Sequence, residues 1–163
     1  MAKFYTVAYR QQAEKVFGGR QSTEVAKRAA AAARRQLLIL PLQNHHAFPH
    51  IGAHFAEQPE KDVNGIFFVE YQKPAELTRL LLCAIDNPGT EPMLSKSDDG
   101  DWAVVLQTWF GLLNPIGYDE SHGSRQNLHY LRLVVDQNGD LITAYPTNGY
   151  LQPGDRAKGI HVP

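Results

Sequence analysis

Cysteine is almost missing from this sequence: Cys83 is the single one in 163 residues. A disulfide framework and a cysteine-rich zinc module are both excluded by that count. No apolar run approaches the roughly 20 residues that a membrane helix needs, so no membrane segment is expected. The opening Met1-Ala2-Lys3-Phe4 has no basic-then-apolar leader, so no signal peptide is expected either. An overall excess of charge is lacking too, with a formal net charge of −1. What remains is ordinary globular material, 43% hydrophobic and 20% charged, of a length that suits one domain.

The near-zero net charge hides a split. Residues 1–40 hold 8 of the 16 Lys/Arg but only Glu14 and Glu24, for +6, which leaves −7 on residues 41–163. The chain is therefore read as a basic N-terminal helical segment, 1–40, ahead of an α+β body, 41–163. The basic segment is either a solvated helix face or a surface for an anionic partner.

Within it, residues 21–38 form the clearest helix. Ser22 and Thr23 offer capping oxygens, Ala29 to Ala33 have the best helical propensity, and Arg34 and Arg35 suit the C-terminal dipole. A thin stripe of Val25, Ala29, Ala32 and Gln36/Leu37 predicts a helix resting on the edge of the body. Pro41 ends it. Residues 43–60 read as an irregular loop and Asn64 to Tyr71 as a strand. A helix then starts at Pro74, with Leu77, Leu80, Leu81, Ala84 and Ile85 along one face. Trp102 to Phe110 fits neither period well, and Asn114-Pro115-Ile116-Gly117 reads as a turn. The strongest local signal is a hairpin, Leu128–Val135 and Leu141–Tyr145, joined through Asp136-Gln137-Asn138-Gly139-Asp140. Asp first and Gly fourth suit a type I turn with a glycine bulge. Together these elements predict an α+β fold, with N-terminal helices packed on a mainly antiparallel sheet that ends in the hairpin.

That turn pairs Asp136 with Asp140, which sets Leu133 opposite Thr143, Leu131 opposite Tyr145 and His129 opposite Thr147. One side of the sheet then presents His129, Thr143 and Tyr145, and Val134, Ile142 and Ala144 point into the core. A two-residue loop would instead bring Arg132 beside Tyr145. Either register gathers two hydroxyls and one cationic or titratable group, although β propensity alone also accounts for Thr and Tyr here.

Four of the seven histidines, His45, His46, His50 and His54, fall within ten residues. His46, His50 and His54 stand at i, i+4, i+8, a metal-binding face if helical, but Pro49 breaks a helix across that span. Histidine in such a loop also serves as general base or acid near neutral pH. Histidines and a hydroxyl pair are what RNA cleavage by transesterification requires. One group takes the 2′-hydroxyl proton, another protonates the departing 5′-oxygen, and fixed donors hold the phosphorane. The aromatics Trp102, Trp109, Phe110 and Tyr118 are read first as core packing and second as base-stacking candidates.

The stretch Leu141-Ile142-Thr143-Ala144-Tyr145-Pro146, following Val134-Val135-Asp136, resembles the closing strand of bacterial toxin ribonucleases. It is most similar to the RNase A-like toxin tip of contact-dependent growth inhibition and related polymorphic toxins, and more loosely to the barnase, EndoU, colicin and RelE group. His45 to His50-Ile51-Gly52 matches the family's His-x4-His-Val-Gly spacing, Phe67-Phe68 precede Pro74-Ala75-Glu76-Leu77, and Pro115-Ile116-Gly117 stands before the hairpin. The resemblance spans residues 44–146. It departs at Gln43-Asn44, where the family has two glycines, and at Pro49, where it has lysine.

The resemblance implies a metal-independent endoribonuclease toxin without a cofactor, acting in the cytoplasm of a target cell on RNA, tRNA included, and held in check by a cognate immunity protein. It implies Thr143 and Tyr145 as the paired hydroxyls and His45 or His50 as the upstream histidine, with His129 as a possible second. The family also places an arginine or lysine in the site; Arg125, Arg132 and Lys61 are the candidates, the motif does not choose among them, and Arg132 is taken as the phosphate-neutralising cation. Two rival expectations stand beside it: a non-enzymatic interaction module, adaptor or inhibitor, of similar fold, and a histidine-based metal-binding protein.

Overall fold

The computed structural model describes residues 19–56, 65–90, 92–96, 102–120 and 123–148. Lys61 and the tail beyond 148 lie outside these. Helix α1 spans Gly19–Ile39, a 3-10 turn covers Leu42–Asn44, and α2 is the single turn Phe48–Gly52. Strand β1 is Ile66–Phe67, a second 3-10 turn covers Val69–Gln72, and α3 is Pro74–Asp86. The remaining strands are β2 Met93–Lys96, β3 Trp102–Trp109, β4 Gly117–Asp119, β5 Gln126–Leu128, β6 Tyr130–Asp136 and β7 Leu141–Thr147. This is the expected α+β architecture. The described strands form two antiparallel sheets, a four-stranded one ordered β2-β3-β6-β7 and a three-stranded one ordered β1-β4-β5.

One core joins helices and the larger sheet. Leu77, Leu80, Leu81 and Ala84 of α3 are buried at the helical spacing read from the sequence, with Ile85 half-buried beside them. Each buried leucine contributes about 2 kcal/mol through apolar burial. They pack with Val104 and Leu106 of β3, Leu131, Leu133 and Val135 of β6, and Leu141 and Ala144 of β7. Helix α1 belongs to the same core. Its buried face is Ala26, Ala29, Ala30, Ala33 and Leu37, rotated from the expected Val25–Ala32 stripe and wider than it. Small side chains let the helix backbone approach closely. A Cβ on Gly139 would lie 2.5 Å from Ala32 Cβ and 2.6 Å from Ala33 N.

Two stretches differ from the sequence reading. Of the strand expected over Asn64 to Tyr71, the described residues 65–71 supply only Ile66–Phe67, because the chain turns into the 3-10 segment after Phe68. Pro49 starts α2 in the first-turn position that tolerates its missing N–H, so the histidine loop carries a helical turn that proline initiates.

The hairpin turn forms as its residues dictate. Gly139 has φ +85°, its N–H donates to Asp136 O at 3.0 Å, and Asp136 N–H donates to Asp140 O at 2.9 Å. The Asp136 carboxylate accepts from the N–H of Asn138 at 2.8 Å and of Asp140 at 2.9 Å. Val135 still faces Leu141, but the register shifts between Val135 and Val134, leaving Ile142 as an extra residue on β7. Beyond that bulge Val134 faces Thr143, Leu133 faces Ala144, Arg132 faces Tyr145 and Tyr130 faces Thr147. The expected Leu133–Thr143, Leu131–Tyr145 and His129–Thr147 pairs are thereby replaced. A bulge moves every later side chain to the opposite face. Ala144 lies in the main core as expected, whereas Val134 and Ile142, expected beside it, pack with Tyr145, Ala103 and Val105 on the other face.

Candidate functional site

The bulge decides what meets what on that second face. Tyr145 and Arg132 stand opposite each other across β7 and β6, and Arg132 stands opposite Gln107 across β6 and β3. The Arg132 Nε donates to Gln107 Oε1 at 2.8 Å, and its guanidinium carbon lies 5.9 Å from the Tyr145 ring centroid. A longer contact, 3.4 Å, runs from an Arg132 terminal nitrogen to the Tyr145 hydroxyl. Arg132 is only 2% exposed, so it is a cation held behind Tyr145 rather than a surface hook. Thr143, two residues earlier on β7, shares the face of Tyr145 and is half-buried.

A histidine completes the group, and it is His54. Its ring stacks on that of Tyr145, with centroids 5.1 Å apart and 17° between planes. The three-stranded sheet puts it there. His54 O accepts from Phe67 N–H at 2.8 Å, and His54 Nδ1 lies 2.8 Å from Gly65 O. Gly65 in turn presses on the end of β7, where a Cβ would lie 2.2 Å from Pro146 O, and its φ is +119°. Only glycine accommodates both that contact and that backbone angle. The strap 65–67 thus fastens β7 on one side and the histidine on the other.

The Gly65 carbonyl can only accept, so His54 Nδ1 carries the proton and Nε2 is the bare nitrogen of the neutral ring. Burial lowers the His54 pKa below its ordinary 6.5, and the bond to Gly65 opposes the shift in part. The ring is accordingly neutral at pH 7, the state in which a general base accepts a proton.

The other histidines are placed differently. His45 is 6% exposed and directs Nε2 at Leu40 O, 3.1 Å away, satisfying a carbonyl just past the end of α1. His50 is exposed on α2. His129 closes the loop after β3, with Nδ1 2.9 Å from Gly111 O, and lies three residues, about 10 Å, along the chain from Arg132. Of the six residues expected at the site, Arg132, Thr143 and Tyr145 come together, and His45, His50 and His129 do not join them. His46 is exposed, and among the described residues no three His, Cys, Asp or Glu side chains converge as a metal site would require. No helix among these residues is long and apolar enough to cross a membrane.

Sequence reasoning singled out His54 only as a metal candidate and passed over Gln107. The missed signal was Gly65, whose close approach to Pro146 ties the histidine loop to β7. Beside the strap lies a cleft of about 410 Å³ lined by Phe67, Phe68, Val69, Glu70, Gln72, Tyr118 and Arg125. Searches for known relatives found no matching family model, no matching curated protein and no matching solved structure.

Proposed function

We propose that the chain is a metal-independent endoribonuclease of the toxin or effector kind, acting by 2′-hydroxyl transesterification. The observation that carries this reading is the stack of His54 on Tyr145, with the histidine tautomer set by Gly65 and Arg132 behind the tyrosine.

In this reading His54 Nε2 takes the proton of the 2′-hydroxyl, and the freed oxygen attacks the adjacent phosphorus. The bond to the 5′-oxygen breaks, a water at the exposed edge supplies that oxygen's proton, and His54 returns its own proton to solvent. The product strand ends in a 2′,3′-cyclic phosphate. Tyr145 and Thr143 present hydroxyls to the phosphorane oxygens, and the buried Arg132 charge favours the extra negative charge of that state from behind Tyr145. The low dielectric around a buried cation strengthens this field relative to water. RNA is the substrate because DNA lacks the attacking hydroxyl. A cognate immunity protein is the implied partner, and the cytoplasm of a target cell the place of action, since a free ribonuclease would harm its producer.

An oligonucleotide with a single ribose 2′-hydroxyl in an otherwise 2′-O-methyl strand tests the chemistry. The expected result is one cut, 3′ to that residue, leaving a cyclic phosphate. An intact strand, a cut elsewhere or a 3′-hydroxyl end would overturn it.

One observation favours the alternative of a non-enzymatic interaction module. Trp109 at the end of β3 and Leu112 and Leu113 on the loop that His129 closes are 52%, 75% and 92% exposed, apolar side chains of the kind that bind protein.

A further inference from the structure

The cleft beside the strap is built as a layered stack. Phe68 lies against Tyr118 with centroids 6.1 Å apart and 27° between planes, and the Arg125 guanidinium carbon sits 3.8 Å from the Tyr118 ring centroid on the same ring. Backbone pairing sets this order. Ile66 pairs with Tyr118 across β1 and β4, and Phe68 N–H donates to Ile116 O at 3.1 Å. Phe68 and Tyr118 are half-buried and Arg125 is exposed, so the stack opens to solvent at the cleft.

We propose that this cleft binds one base of a single-stranded RNA whose scissile phosphate lies at the His54–Tyr145 site; the inference rests on the ribonucleolytic reading of that site. Three features select a base over the alternatives. Flat aromatic and guanidinium surfaces add a further ring at stacking distance, and every base has such a ring. The Glu70 carboxylate on the lining repels a phosphate but accepts hydrogen bonds from the N–H edge of a base. Gln72, also on the lining, is held in place by its Nε2–H donating to Phe67 O at 3.0 Å, and its amide oxygen is a second hydrogen-bond acceptor.

The two sites share a frame. Gly65 O holds His54, and Phe68 stands three residues further on, a span of at most about 10 Å. The strap therefore links the histidine to the cleft through a short stretch of backbone. Arg125 acts as part of the stack here, and Arg132 remains the cation of the reacting end.

Binding of a fluorescein-labelled 2′-O-methyl RNA hexamer, which lacks the attacking hydroxyl, tests the proposal by anisotropy over a range of salt. Wild type, Phe68→Ala and Arg125→Ala are compared, each first checked for a native circular dichroism spectrum. Phe68→Ala and Arg125→Ala should each weaken binding about tenfold. Neither should change the salt dependence, whereas loss of a phosphate contact would lower its slope by about 0.7. Unchanged affinity in Arg125→Ala, or a reduced salt slope, overturns the base site, as does a wild type that does not bind the hexamer. Where Phe68→Ala is not native, Phe68→Leu replaces it, since leucine keeps the volume and removes the flat ring. Failure of the catalytic reading would appear separately, as a hexamer bound through the cleft alongside an all-ribose strand left uncut.

Discussion

The imidazole of His54 lies flat against the ring of Tyr145, 5.1 Å between centroids. These residues are far apart in the chain, and neither could reach the other without the Ile142 bulge and the Gly65 contact with Pro146. The bulge turns Tyr145 off the core face, and the strap carries the histidine over it. The relationship is thus a property of two sheets joined at one strand end, and it sets an imidazole on one side of the Tyr145 ring and brings a buried guanidinium to within 5.9 Å of that ring.

Acid should destabilise the fold through His54. Its folded pKa is lowered by burial, so between pH 6.5 and that lower value the unfolded chain takes up the proton first. The stability is present above pH 6.5 and is lost as pH falls through this window. Melting temperatures of wild type and His54→Gln, followed from pH 7.5 to 5, check this. The downward slope should be smaller in the variant.

Tyr145→Phe keeps the ring against His54 and removes only the hydroxyl. Cleavage should drop by about 10²-fold, the magnitude of losing one donor to a developing oxyanion, with the melting temperature within a few degrees of wild type. Single-turnover rates on a short RNA measure it. Equal rates would take the hydroxyl out of the chemistry.

Gln107→Leu removes the acceptor 2.8 Å from Arg132 Nε inside the sheet. Hydrogen bonds to charged groups contribute about 2 kcal/mol, and urea denaturation should show a loss of that order. A variant as stable as wild type would mean that Gln107 does not hold the guanidinium.

Gly139→Ala should cost about 3 kcal/mol in the same measurement. Its φ of +85° disfavours any side chain, and a Cβ there would meet Ala32 and Ala33 of α1 at 2.5 and 2.6 Å. Loss of that size would tie the hairpin turn to the helix.

Much of the fold is legible in the chain. The leucine spacing of α3, the alanine-rich α1 and the Asp136–Gly139 turn each act over a few residues, and each forms where local chemistry places it. The register of β7 is not legible, because the extra residue at Ile142 is chosen by packing on both faces of the sheet and leaves no turn residue to mark it. That single residue separates the expected Leu131–Tyr145 pair from the observed Arg132–Tyr145 pair. At the candidate site, Thr143 and Tyr145 are reached from the alternation of the hairpin and the resemblance of its closing strand, and Arg132 from the alternative register that sets it beside Tyr145. The histidine is not legible, since four stand within ten residues and only the long-range Gly65–Pro146 contact selects among them. His45 is taken by the end of α1, and His50 faces solvent.

The most direct test of the central claim is cleavage of total RNA in the presence of EDTA by wild type, His54→Ala and His50→Ala. The account predicts that wild type and His50→Ala degrade the RNA and that His54→Ala is slower by 10²-fold or more, the usual loss for a general base. Intact RNA with wild type, or undiminished cleavage by His54→Ala, would contradict it.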